Sequence, residues 1–105
     1  MKKYKPLKLG ILENDLKRIL NNHQIWLISE GKKGNRADFV DSDLSGSDLT
    51  NTILVGADFK FADAINTNFT SANLKGADLR GANLTGALYT QEQIDSAITD
   101  ETTKF

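Results

Sequence analysis

Between residues 37 and 86 the apolar and polar positions repeat every five residues. These residues divide into ten consecutive units, of which the first three are ADFVD, SDLSG and SDLTN. The first residue of each unit is small, the second is usually Asp or Asn, and the third is Leu or Phe in nine of the ten units. A strict period of five fits neither a helix nor an alternating strand. It predicts a coil that turns a corner every five residues, with the small and the large residues pointing inward.

An amphipathic helix is predicted ahead of the repeats, from residue 11 to about residue 29. Its apolar stripe recurs at intervals of three and four residues. The stripe consists of Leu12, Leu16, Ile19, Leu20, His23, Trp26 and Leu27. The first coil of a solenoid exposes its apolar interior, so we expect this helix to cap the array. The expected anchors are Leu16, Ile19, Leu20 and Trp26. The alternative is that the stripe docks on a partner.

A second, shorter cap is predicted at the other end of the repeats. Thr90 followed three residues later by Gln93 has the spacing of a capping box, which predicts a helix from Gln91 to about Ala97. We expect Ile94 to turn onto the last coil and residues 100–105 to continue over or beside it. We therefore expect one structural domain in three parts: a basic lead-in and capping helix (1–36), the array (37–91), and a C-terminal cap and tail (92–105).

The tandem units resemble those of the pentapeptide-repeat family, whose members carry repeats of the form A(D/N)LXX. The resemblance covers about half of the chain. It implies a mainly β fold, namely a right-handed quadrilateral parallel β-helix with four units per coil, here about 2.75 coils. It also implies that the first and third residues of each unit face inward.

With four units per coil, residues twenty apart should stack at the spacing of paired strands. The predicted interior columns are Phe39–Phe59–Leu79, Leu44–Ala64–Leu84, Leu49–Phe69–Tyr89 and Leu54–Leu74. Glycine often holds the fifth position, where a tight corner requires positive φ, and Asn51 and Asn66 tolerate that conformation. Phe61 does not, so we expect a different turn type there.

Composition and charge narrow the possible functions. The net charge is −1, with +6 on residues 1–36, −4 on residues 37–91 and −3 on residues 92–105. This balance favours neither direct nucleic acid binding nor a membrane partner. The chain has no cysteine and one histidine, His23, which we expect to be a packed or partly exposed helix residue. Nucleophilic catalysis and a metal site are therefore not predicted, and neither is a cofactor. No secretory signal or membrane span is evident, so we expect a cytoplasmic protein.

Two outward-facing features are candidate sites. The first is an acidic column on each of two adjacent faces, formed by Asp38, Asp58 and Asp78 and by Asp43 and Asp63. Such columns could mimic a phosphate backbone or hold a divalent cation; alternatively they serve solubility, with Lys60 and Arg80 offsetting their charge.

The second feature is the sixth unit, ADAIN, which places small Ala64 inward and Ile65 outward, one corner after Phe61. We expect Phe61 and Ile65 to form an exposed apolar patch that contacts a partner, a second copy or a terminal segment. The alternative is that Ile65 rotates inward and distorts the coil.

These observations favour a non-enzymatic structural or protein-interaction module with an unidentified protein partner, present as a monomer or a weak homodimer. The resemblance implies one alternative, because some proteins of this family bind type II topoisomerases as DNA mimics. The short array and its weak charge disfavour that role here.

Overall fold

The structure is a computed structural model, and it describes residues 11–105. Parallel β-bridges repeat along the array, and most of them join residues twenty positions apart. They include Asp38–Asp58, Asp43–Asp63, Asp48–Asn68, Ile53–Asn73, Asp58–Asp78, Asp63–Asn83 and Asn68–Leu88. The chain therefore returns to the same position after every four units. We call residues 37–56, 57–76 and 77–96 coils 1, 2 and 3.

Backbone hydrogen bonds join each coil to the next in a fixed pattern. The amide of a third-position residue donates to a second-position carbonyl one coil later, as from Phe39 N to Asp58 O at 2.7 Å. The second-position amide returns a bond to the preceding coil, as from Asp58 N to Ala37 O at 3.0 Å. Every unit thus contributes to the ladder through one short stretch of backbone, so the array consists of isolated bridges rather than long strands.

The core lies inside the coils, at the third positions that the repeat predicted. The largest fully buried side chains there are Phe39, Leu44, Leu49, Leu54, Phe59, Phe69, Leu74, Leu79 and Leu84. The rings of Phe39 and Phe59 stack with their centroids 5.0 Å apart, and Phe59 meets Phe69 edge to face at 6.0 Å. First-position residues are buried throughout coil 2 but only partly at Ser42, Ser47 and Thr52 of coil 1.

The corners between units have positive φ, and the expectation for Phe61 was wrong. Asn51 and Asn66 adopt this conformation as expected, with φ of 60° and 59°, but Phe61 adopts it too, with φ of 61°. The reason is that one ladder bond and one bond across the turn fix the corner. Phe61 N donates to Arg80 O at 3.1 Å, and Ala62 N closes the corner on Phe59 O at 3.0 Å. The array therefore imposes the left-handed conformation whatever the side chain.

Helix α1 spans Glu13–Ile28, within the stretch predicted from the apolar stripe. Leu16 and His23 are buried, whereas Leu12 precedes the helix and is largely exposed. After the helix, Gly31 N donates to Trp26 O at 2.8 Å, and Gly31 has the positive φ typical of a helix end. Ile11 N reaches Asp43 O at 3.4 Å, which ties the entry of α1 to coil 1.

Helix α2 spans Gln91–Ser96, and its predicted capping box is formed. Ile94 is buried and lies twenty residues after Leu74, so it continues the interior column that begins at Leu54. The chain then rejoins the ladder, because Ile98 bridges Asp78 and Lys104 bridges Asn83. Helix α2 therefore replaces the last unit of coil 3, and pairing extends to the tail. No helix within residues 11–105 has the length and apolarity needed to cross a bilayer.

Candidate functional site

The corner at Phe61 exposes apolar surface. Phe61 is 56% exposed, and its ring lies directly over Gly81, where an added Cβ would collide with the ring. Asn66 lies over Gly86 in the same way at the next corner. At these two corners the side chain is thus accommodated by glycine one coil later.

The sixth unit keeps the register of the array. Ala64 occupies the inward position and is 1% exposed, whereas Ile65 is half-buried. The bridges of Asp63 to Asp43 and Asn83 continue through this unit, and Ile65 O accepts from Gly46 N at 2.9 Å. Ile65 does not replace Ala64 in the core, so Phe61 and Ile65 stand on neighbouring units as the corner patch.

The second-position carboxylates and amides have a structural task. Their Oδ1 accepts the backbone N–H two residues later, at 3.0 to 3.2 Å. The acceptors are Asp38, Asp43, Asp48, Asp58, Asp63, Asn68, Asn73, Asp78 and Asn83. This is the Asx-turn contact, which Asp and Asn make equally well. The hydrogen bond therefore explains why either residue occurs at this position, without requiring negative charge.

Basic side chains neutralise part of the column formed by Asp38, Asp58 and Asp78. Lys60 Nζ lies 3.3 Å from Asp58 Oδ2 and 3.9 Å from Asp78 Oδ2. Arg80 makes a two-pronged contact with Asp78, through Nε to Oδ1 at 2.9 Å and Nη2 to Oδ2 at 2.7 Å. These hydrogen bonds from Arg80 lower the pKa of Asp78 despite its burial. In residues 11–105 no group of three or more His, Cys, Asp or Glu side chains is placed to hold a metal ion.

His23 is fully buried and joins α1 to coil 1. Its Nδ1 accepts the backbone N–H of Ala37 at 2.9 Å, so the ring proton is on Nε2, which donates to Val55 O at 2.9 Å. Trp26 stacks on the ring with a centroid distance of 5.5 Å. Desolvation lowers the pKa of His23. The sequence identified His23 as a stripe residue but not as a backbone partner; its place on the apolar stripe was the only signal.

The expected cap anchors differ in how deeply they are buried. Leu16 and Ile94 are 9% and 7% exposed, whereas Ile19, Leu20 and Trp26 are half-buried. Leu16, Ile19 and Leu20 belong to the same apolar cluster as the interior columns.

A cleft of about 620 Å³ lies between α2 and coil 2. It is lined by Leu74, Leu88, Tyr89, Glu92 and Gln93 together with small and amide residues. Its lining holds one carboxylate, Glu92, and hydroxyl groups such as those of Ser71 and Ser96, but no Lys, Arg or His side chain to pair with them.

Comparisons with known proteins bear on the whole array. The model of the pentapeptide repeats, in eight copies, matches residues 35–70 and 52–88. Among solved structures, the chain is similar to Rfr23, a pentapeptide repeat protein from the cyanobacterium Cyanothece 51142, with 40% identity and a TM-score of 0.58. That match covers 65% of this chain and 46% of Rfr23.

A pentapeptide repeat protein from the thylakoid lumen of Arabidopsis thaliana is 36% identical, with a TM-score of 0.49, over 50% of this chain and 36% of its own. The chain thus spans less than half the length of either protein. No curated protein gave a match.

Proposed function

Because this chain belongs to the pentapeptide repeat family, we propose that it is a non-enzymatic structural module that binds a protein partner through the corner patch of Phe61 and Ile65. Its frame is a right-handed, four-sided β-helix of about 2.75 coils, which the repeat match and the twenty-residue spacing of the bridges support. We place it in the cytoplasm, as a monomer or weak homodimer, with no direct binding to nucleic acid or membrane.

One observation carries the proposal: a large apolar residue occupies a strained corner and exposes its ring. The left-handed conformation costs a residue with a Cβ about 1–2 kcal/mol, and asparagine or glycine holds it at most other corners. Phe61 has φ of 61° and is 56% exposed. An apolar ring held outward at this cost is typical of a contact surface.

The surroundings define the chemistry of the partner. Ile65 is half-buried on the next unit. On the adjoining faces Asp63 and Asp78 are buried, and Asp58 is paired with Lys60. A partner with an apolar cleft complements this patch. The pairing of Lys60 with Asp58 and Asp78 argues against the alternative of a DNA mimic, because it reduces the charge of the acidic column.

The test compares capture by the wild-type protein with capture by Phe61→Asn. Asparagine suits the corner, since Asn66 holds the same conformation over Gly86. Leu88→Asn is the matched control, because Leu88 is also 56% exposed and Asn68 stands in the same bridge column. Immobilised proteins are incubated with lysate of the source organism, and bound proteins are quantified by mass spectrometry.

We expect a partner that is retained by the wild type and by Leu88→Asn, and is at least tenfold depleted with Phe61→Asn and with Ile65→Ser. Equal retention by all four proteins, with native circular dichroism, would refute the assignment of the patch. Sedimentation velocity on the same variants identifies the case in which the partner is a second copy of this chain.

A further inference from the structure

The boundary between α1 and coil 1 is joined by a side chain that can change its charge. His23 is 0% exposed, and each ring nitrogen has a backbone partner in the array, Ala37 N–H at Nδ1 and Val55 O at Nε2. Both partners lie at the N-terminal side of the array, where no earlier coil is present to pair with them. The histidine thus closes a polar edge that an apolar stripe residue would leave unsatisfied.

This arrangement requires a neutral imidazole. A proton on Nδ1 removes the acceptor for the N–H of Ala37, so that two N–H groups, those of Nδ1 and Ala37, point at one another and repel. It also places a positive charge in a site from which water is excluded. Among the groups that face the ring, Val55 O alone favours an imidazolium, and burial outweighs it. Trp26 on α1 is uncharged, Ala37 presents an N–H, and the charge of Arg36 in the connecting loop repels an imidazolium.

We propose that His23 is an acid-sensitive latch, in which one proton taken up at Nδ1 releases α1 from coil 1 and uncovers the N-terminal edge of the array. The remaining attachment comprises half-buried side chains of the stripe, buried Leu16, and a few backbone contacts such as Ile11 N to Asp43 O. Release exposes the backbone groups of the first coil, which are able to pair with another extended chain. This inference does not depend on the corner patch.

The direction of the pH dependence follows from linkage. An unfolded or released histidine titrates near its ordinary pKa of about 6.5, whereas desolvation lowers the pKa of the docked ring. Below about pH 6.5 the released state therefore binds a proton that the docked state does not. Docking weakens as pH falls from about 6.5 toward the lower pKa of the docked ring, by at most about tenfold per pH unit.

The test uses the fact that His23 is the one histidine of the chain. Its ring protons give a single titration by NMR, and amide hydrogen exchange of α1 is measured between pH 7.5 and 5, corrected for intrinsic rates. Ordinary carboxyl groups titrate below this window. We expect a ring pKa below 6.5 and a protection factor of α1 that falls at least fivefold across the window, while amides of coil 2 change less.

His23→Gln is the matched variant, since glutamine cannot titrate but offers a donor and an acceptor. In this variant we expect α1 to pack less tightly on coil 1 at pH 7.5, and the protection of its amides to be independent of pH. Arg36→Gln should raise the ring pKa and move release to higher pH. A ring pKa at or above 6.5 with α1 still protected would overturn the proposal, as would unchanged α1 protection at pH 5. The NMR result decides the question even if His23→Gln fails to fold.

Discussion

Helix α1 packs against coil 1 from outside the ladder, whereas α2 stands within the path of coil 3. Between α1 and the array the hydrogen bonds are few, and two of them belong to one side chain, His23. After α2, by contrast, the chain rejoins the backbone ladder at Ile98 and again at Lys104. The N-terminal cap is thus attached by side chains, and the C-terminal cap is part of the coil.

The difference shows how a short solenoid can vary in stability along its length. In a repeat array each coil contacts its neighbours alone, so the terminal coils depend on their caps. A cap held by side chains can detach while the array persists. A cap threaded through the ladder cannot leave without breaking the pairing of residues that follow it. We therefore expect α1 to open locally and α2 to unfold with coil 3.

The largest expected loss of stability comes from truncating the buried anchors of the two caps, Ile94 and Leu16. Ile94→Ala should lower the free energy of unfolding of the whole protein by about 2–4 kcal/mol, because Ile94 extends the Leu54–Leu74 column and its loss leaves a cavity. Leu16→Ala should instead reduce hydrogen-exchange protection in α1 more than in coil 2. Urea denaturation and residue-level exchange measure the two outcomes.

The control for this pair is Asp95→Ala on the exposed side of α2, which should change stability by less than about 0.5 kcal/mol. The comparison fails if Ile94→Ala loosens α2 alone and leaves coils 2 and 3 fully protected. It fails equally if Leu16→Ala reduces the protection of every coil to the same degree as that of α1.

A smaller effect is expected at Gln93, which joins α2 to the array through polar contacts. Its Nε2 donates to Phe69 O at 2.7 Å and to Ala72 O at 2.8 Å, and its Oε1 accepts from Thr90 N at 2.7 Å. Gln93→Ala removes the side-chain partner of Ala72 O and Thr90 N, whereas Phe69 O keeps the N–H of Ala72 at 2.9 Å. We expect a loss of about 1–3 kcal/mol in urea denaturation.

Gln91→Ala removes an exposed contact to Asp95 on the same helix and is the matched control, with an expected change below about 0.5 kcal/mol. If the two glutamine variants were equally stable, water would replace the bonds of Gln93 without loss, and α2 would be held by Ile94 and the ladder bonds that follow it rather than by Gln93.

The five-residue period made the core predictable, and the capping-box spacing of Thr90 and Gln93 predicted the C-terminal helix. The third-position residues are buried because each five-residue unit forms one side of the coil, so that the third residue of every unit faces inward. Ile94 lies twenty residues after Leu74 and is buried in the same column. The conformation of Phe61 was not predictable from its own preference, since a ladder bond and a bond across the turn override that preference. His23 was missed for a related reason: hydrophobic periodicity locates a face but not a backbone partner more than thirty residues away, such as Val55 O.

The smallest expected effect concerns the pH at which each end of the array loses stability in acid. Arg80 lowers the pKa of Asp78, and the Thr102 hydroxyl lowers that of Asp100 in the tail. A carboxyl group with a lowered pKa stabilises the fold above the ordinary value of about 3.9, and this contribution is lost as pH falls through the lower pKa of the folded state. The C-terminal end should therefore weaken below about pH 4, after α1 has begun to respond near pH 6.5.

Asp78→Asn tests this order, because asparagine keeps the Oδ1 acceptor for Arg80 N, as Asn83 does for Thr85 N. In the wild type the unfolding equilibrium constant changes between pH 4 and pH 2.5. We expect Asp78→Asn to make this change smaller by less than about tenfold, because Arg80 is exposed and water screens its pairing with Asp78. Asp38→Asn, in the same column but outside the Lys60 and Arg80 ion pairs, should reduce it less. An equal effect of both variants would mean that the acid response comes from the net charge of the array and not from the ion pairs beside coil 3.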